Sequence, residues 1–325
     1  MTGFTNAGKN IASQFGMPLY GISGAPHPLG AMSGNQFWVN ETTGSDGNTG
    51  GPQDPFATLT QALSLCVANN NDIIFMTGSV HVTATVAWNV ARTHLIGLSP
   101  PSQNSRARIA IANTAATSGA VSPLVNVTAT GCYFKNIEAF NGINQAATQV
   151  CWAEFGGQNY YENCCFFGVG IATAGAQAGN RSLTVGGDEN RFIDCIIGND
   201  TIVRATNANS TLEFLVGPGG TGSARNFFRG CVFQMLSSDA SNVHVNAGAG
   251  SLDRWTLFDN CAFIQGIQSG QAAISAGITV AATGGLLLLQ SPISVGATAI
   301  ATTGNVYIVG TVPPAATSGI AILAT

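Results

Sequence analysis

Tyr161-Glu-Asn163-Cys164-Cys165-Phe166-Phe167 is one copy of a phrase that the chain repeats. Upstream it reads Phe134-Lys-Asn136-Ile-Glu-Ala-Phe140. Downstream it returns as Phe192-Ile-Asp194-Cys195-Ile-Ile197, Phe228-Arg-Gly230-Cys231-Val-Phe233 and Phe258-Asp259-Asn260-Cys261-Ala-Phe263. The central residue falls at 136, 163, 194, 230 and 260, in steps of 27, 31, 36 and 30 residues. Steps of that size mark stacked structural repeats. Each copy alternates apolar residues over a few positions, which is the period of a strand. One strand phrase per repeat, with no amphipathic helix between copies, predicts a solenoid of parallel β coils. Equivalent residues then stack roughly 4.8 Å apart. Cys164, Cys195, Cys231 and Cys261 are expected to form an inward column. Asn136, Asn163, Asp194 and Asn260 are expected beside them at a bend.

Composition narrows the function. Of 325 residues only 8% are charged, against about 25% in ordinary globular chains. The formal net charge is −4, and no basic patch points to nucleic acid. The longest aliphatic run, Leu286-Leu-Leu-Leu289, is far short of the roughly 20 residues a membrane helix needs. The opening residues lack the basic and apolar segments of a secretion signal. Four of the eight Cys share one repeat position, so they read as small reduced core residues rather than disulfides. No Cys-x-x-Cys or His-x₃-His pair is present, and neither metal nor cofactor is expected.

The chain divides into four parts. Residues 1–36 are rich in Gly, Pro and Ser yet carry Phe4, Ile11, Phe15, Leu19 and Tyr20. That is too apolar for a solvated tail and reads as an arm that anchors on a partner. Residues 37–71 read as a strand, a turn cluster and a short helix capping the solenoid. Asp54 is its expected N-cap and Pro55 its first residue. Residues 72–265 hold the coils. Residues 266–325 form an uncharged, β-rich and less regular end.

The stretches Phe37-Trp-Val-Asn40, Gly44-Ser-Asp-Gly47, Asp54-Pro-Phe-Ala-Thr58, Asp72-Ile-Ile-Phe75 and Leu95-Ile-Gly97 resemble the opening of the right-handed parallel β-helix (pectin-lyase-like) superfamily. The resemblance implies an all-β, right-handed parallel β-helix, and says almost nothing of function.

From residue 260 to 325 there is no Asp, Glu, Lys, Arg or His in 66 residues. Exposed in a single subunit, such strands would invite edge-to-edge pairing. Burial against identical subunits or a larger assembly is therefore expected. In composition the chain resembles bacteriophage virion proteins: tailspikes, tail fibres and capsid decoration (cement) proteins. That implies a non-enzymatic structural role in the virion, as a homo-oligomer with three-fold symmetry attached to major capsid or other virion proteins. The alternative is a tailspike or tail fibre that binds or degrades host polysaccharide. A hydrolase of this kind needs two acids at a set separation. The candidates are Asp188, Glu189, Arg191 and Asp194 in one coil, with Asp253, Arg254 and Asp259 two coils on. Against this, Asp194 occupies the repeat position of Asn163 and Asn260, and Gly186-Gly-Asp-Glu-Asn190 reads as a polar turn. Trp88, Trp152, Trp255, Tyr160 and Tyr161 are candidates for stacking on sugar rings. In repeat strands such residues are more often core or interface.

Overall fold

The computed structural model describes residues 34–99, 107–112, 121–205, 209–266, 271–281, 285–302, 305–312 and 321–324. The proposed anchoring residues Phe4, Ile11, Phe15, Leu19 and Tyr20 lie outside them. Nearly all regular structure is strand, in three sheets of 11, 9 and 8 strands. Each coil contributes one strand to each sheet. Tyr160–Glu162 belongs to the long sheet, Cys165–Phe167 to the nine-stranded one and Arg181–Val185 to the eight-stranded one. The next coil repeats the cycle with Arg191–Ile193, Ile196–Ile197 and Ser210–Phe214. Neighbouring coils pair in parallel and in register, for example Tyr161 opposite Phe192 and Leu183 opposite Leu212. The chain is thus a parallel β-helix.

Burial explains the repeated phrase. Its leading aromatic points inward, so Phe134, Tyr161, Phe192, Phe228 and Phe258 stack in one column. Successive ring centroids lie 4.8, 4.6, 4.6 and 4.8 Å apart, with planes within 9° of parallel. The strand spacing alone sets that distance. Leu95 and Leu289 continue the column at its two ends. Three residues on, Cys164, Cys195, Cys231 and Cys261 are buried and unpaired by disulfides. Each thiol donates to the carbonyl of the aromatic in the preceding coil: Cys164 to Phe134 at 3.5 Å, Cys231 to Phe192 at 3.3 Å and Cys261 to Phe228 at 3.5 Å.

Between aromatic and cysteine the chain turns from the long sheet into the nine-stranded one. Asn136, Asn163, Asp194, Gly230 and Asn260 all take left-handed φ angles, between 52° and 64°. Asn and Asp tolerate that region and Gly enters it freely. Asn163 Nδ2 donates to Asn136 Oδ1 at 2.8 Å. Two further Asn columns brace the other corners. Asn190 Oδ1 accepts the Asn159 amide N–H at 2.9 Å, and Asn226 Oδ1 accepts that of Asn190 at 2.9 Å. Asn180, Asn209 and Asn242 repeat the pattern before the eight-stranded sheet. These side chains satisfy backbone groups buried at the corners.

At one end the helix Leu59–Ser64 packs Leu59, Ala62 and Leu63 on the core. Its N-cap is Thr58, whose hydroxyl accepts the Gln61 N–H at 3.1 Å, and not Asp54 as the Asp-Pro pair suggests. Asp46 bonds the Ala57 and Thr58 amides, which delays the helix start; Asp54 caps the turn at Thr49 instead. The three sheets run on past residue 265 through Ile274–Val280, Leu286–Gln290 and Ile293–Val295. Among the described strand pairs only the last, Val306–Val312 with Ala321–Ala324, is antiparallel. Among the described residues no helix is long and apolar enough to cross a membrane.

Candidate functional site

Outward-facing residues of the long sheet form the wall of a groove of about 770 Å³. The residue between each corner Asn and each inward aromatic points into it. These are Tyr160, Arg191 and Phe227, in register with Tyr133 before them and Leu257 after them. Five strands at roughly 4.8 Å spacing give the row a length of about 19 Å. Alternation along a strand forces this arrangement, because neighbours of an inward residue must point outward.

A second row lines the corner edge of the groove: Arg92, Gly131, Gln158, Glu189, Arg225 and Trp255. The first five have φ between 55° and 68°. Glu189 accepts from Gln158 Nε2 at 3.1 Å and from Arg225 Nε at 2.8 Å. The hydrogen bond from Gln158 and then the Arg225 charge hold its carboxyl below the usual carboxylate range. Arg191 has its guanidinium 5.7 Å from the Phe227 ring centroid, and Arg229 covers the same ring at 4.8 Å. Among the described residues neither Arg92 nor Arg191 has a carboxylate within ion-pair distance. Next to the groove Glu162 accepts from Lys135 Nζ at 2.6 Å and from the Tyr133 hydroxyl. Burial and this carboxylate push the Tyr133 phenol upward.

The proposed catalytic set is not gathered in one place. Glu189 lines the groove. Asp188 accepts the Ala224 N–H at 2.8 Å, as a turn residue does. Asp194 sits at the left-handed bend, beyond the strand Arg191–Ile193. Asp253 and Arg254 pair with each other at 3.4 Å on the surface. They share a register column with the Asp188 turn, but the coil of Ala224 lies between. Among the described residues no group of three or more His, Cys, Asp or Glu could hold a metal ion. Of the candidate stacking residues, Trp88, Trp152 and Tyr161 are buried in the core, whereas Tyr160 and Trp255 face the groove. Arg225, Phe227 and Tyr133 escaped the sequence reading, whereas Arg191 stood among its candidates. The signal for Tyr160, Arg191 and Phe227 is the triplet Asn-x-aromatic, in Asn159-Tyr-Tyr161, Asn190-Arg-Phe192 and Asn226-Phe-Phe228.

The same architecture recurs in solved structures. A rhamnogalacturonan lyase superposes with a TM-score of 0.54 at 13% identity, over 80% of this chain and 68% of that one. The pectate lyase Pel9A gives 0.54 at 14%, over 80% of this chain and 63% of that one. A pectin methylesterase D178A mutant in complex with a hexasaccharide gives 0.53 at 15%, over 89% of this chain and 85% of that one. All are right-handed parallel β-helices, and that is the class to which this fold belongs. No family model and no curated protein matches the sequence.

Proposed function

We propose that this protein is a rod of a bacteriophage particle that grips a host-surface polysaccharide along the groove of its long sheet without cleaving it. The observation that carries the reading is the grouping of the groove-lining rings of Tyr160, Phe227 and the exposed Trp255 with Arg92 and Arg191, which have no ion-pair partner among the described residues. Rings stack on the apolar faces of sugars, and free guanidinium groups bind carboxylates or phosphates in two-pronged fashion. An extended, hydroxyl-rich polymer bearing acidic groups fits both. That a pectin methylesterase of like fold has been captured with a hexasaccharide supports the capacity of such a rod to hold a glycan. Binding is favoured over hydrolysis because the carboxylates around the groove are engaged: Glu189 by Arg225 and Gln158, Glu162 by Lys135 and Tyr133. The test is to incubate the purified protein with host capsule or lipopolysaccharide. Retention of polymer with no new reducing ends or unsaturated uronates is the expected result. Chain cleavage that disappears in Glu189→Gln would make the protein a depolymerase instead.

A second role, attachment to the capsid as a decoration protein, is favoured by the charge-free end. There Ile293 and Val295 stand 57% and 48% exposed, unusual for aliphatic side chains in a strand. In this reading the last coils and residues 1–36 bury against virion partners or a three-fold assembly. Loss of particle association on deleting residues 1–36, with the rod still folded, is the expected outcome. Undiminished association would remove the arm from the account.

A further inference from the structure

At the end of the rod that carries the helix Leu59–Ser64, each sheet stops at a strand with one backbone edge left over. These strands are Gln36–Val39, Ser79–Val82 and Val86–Trp88. Alternation puts the N–H and C=O of every second residue on that edge. Two of the three edges are satisfied. Trp38 N–H donates to the Gly50 carbonyl at 2.8 Å, and the Trp38 carbonyl accepts the Phe56 N–H at 2.9 Å. His81 N–H donates to Glu41 Oε2 at 2.6 Å. The third edge is open. Val86 N–H donates to the Leu124 carbonyl and the Trp88 carbonyl accepts the Thr128 N–H, both at 3.0 Å. Ala87 therefore turns its own N–H and C=O the other way, and no described residue bonds to either. An edge of this kind is a template for a further strand.

A groove of about 370 Å³ runs along the open edge. Thr85, Ala87 and Asn89 form one wall, and Leu63, Ser64 and Cys66 at the end of the helix form the other. Leu65 and Val67, on either side of Cys66, are 44% and 57% exposed. The chain enters the described fold beside this groove. Asp72 Oδ1 accepts the Asn35 N–H at 2.5 Å while its Oδ2 accepts the Val67 N–H at 2.6 Å, so one carboxylate ties the two places together. Residues 1–33 therefore lead off next to the groove, and they carry the closely spaced apolar residues Leu19, Tyr20 and Ile22. Eleven residues separate Ile22 from Gly34, a tether that reaches up to roughly 36 Å. A short tether holds its segment at an effective concentration of millimolar order, which a separate molecule at micromolar concentration does not match.

We propose that residues 19–22 of the same chain dock in this groove as one more strand of the eight-stranded sheet. Their backbone supplies the partners that Ala87 lacks. Tyr20 and Ile22 share one face of such a strand and cover Leu63 and Val86. Residues 1–18 remain for the virion contact, so the docking does not depend on that role. The experiment follows hydrogen exchange of single amides in the full chain at micromolar concentration. The Ala87 amide is expected to exchange at least a hundredfold more slowly than an open amide. Deleting residues 1–33 should restore fast exchange at Ala87 and leave Thr128, whose N–H is bonded to Trp88, unchanged. Cys66, the one cysteine of eight that is not buried, should then react faster with a soluble thiol reagent. Should the deletion fail to fold, the full-length double variant Tyr20→Asp with Ile22→Asp is read in the same way. Fast exchange of Ala87 in the full chain would overturn the docking, as would protection that survives in both variants. Protection that fades on dilution would assign the groove to a second copy, and protection gained only on adding virions would assign it to another virion protein; either result also overturns it.

Discussion

The Tyr161 ring lies 4.6 Å from that of Phe192, with the two planes 4° apart, although 31 residues separate them in sequence. Phe192 meets Phe228 at the same 4.6 Å and 4°. Each ring therefore joins two coils, and shortening one opens a gap to both sides. Phe192→Ala is expected to destabilise the fold by roughly 3–5 kcal/mol, read from denaturant unfolding. Phe192→Leu, which retains most of the volume and matches Leu95 and Leu289 at the column ends, should cost under about 1.5 kcal/mol. Equal effects of the two changes would argue against the stack as the unit of cohesion.

Gly230 is the one glycine in the bend column of Asn136, Asn163, Asp194 and Asn260, and shares their left-handed φ, at 64°. A Cβ there would meet Asp194 Oδ1 at 2.3 Å, the tip of an exposed side chain that can swing aside. Gly230→Asn should be neutral or stabilising by up to about 1 kcal/mol, since it restricts the unfolded chain. Gly230→Val should lower the unfolding temperature clearly, because a branched residue resists positive φ. A stability loss for Asn as large as for Val would mean that the bend needs glycine for space.

Glu154 points into the core, where it accepts from the Tyr161 hydroxyl and from Asn159 Nδ2 at 3.1 Å. Burial raises its pKa to about 8 despite these donors. The folded state thus holds a proton that the unfolded chain releases near pH 4.5. The stabilising contribution of the neutral acid is complete below pH 4.5 and declines as pH rises toward about 8. The slope in that window is at most roughly 1.4 kcal/mol per pH unit. Glu154→Gln should flatten this decline and unfold at higher temperature than the parent protein at pH 8. A pH profile of unfolding unchanged by the substitution would show that Glu154 stays ionised in the fold.

Groove residues should separate binding from stability. Trp255 is 41% exposed and Arg191 has no carboxylate partner among the described residues. Trp255→Ala and Arg191→Ala are expected to weaken polysaccharide retention about tenfold or more while changing stability by no more than about 0.5 kcal/mol. Co-sedimentation with labelled polymer and parallel thermal melts measure both. Retention unaffected by the pair together would place the glycan elsewhere on the rod.

The coil period and the inward aromatic and cysteine columns were legible in the chain, because a solenoid writes each contact twice at a fixed spacing. The helix start was misread, since Asp46 reaches it from eleven residues upstream of Ala57 and no local rule weighs that bond. The buried Asn columns went unread, although Asn159, Asn190 and Asn226 each stand two residues before an inward aromatic. The acids proposed for catalysis were chosen by chemistry along the chain, yet the bend after Ile193 carries Asp194 away from Glu189.

Sequence alone determined that these residues stack, since alternation and period bind every strand to one face and one coil. Tertiary structure alone decided which outward residues stand together. Corner lengths set where each coil re-enters the long sheet, and that placement aligned Tyr160, Arg191 and Phe227 in one groove. It also buried Arg204 and His244 completely.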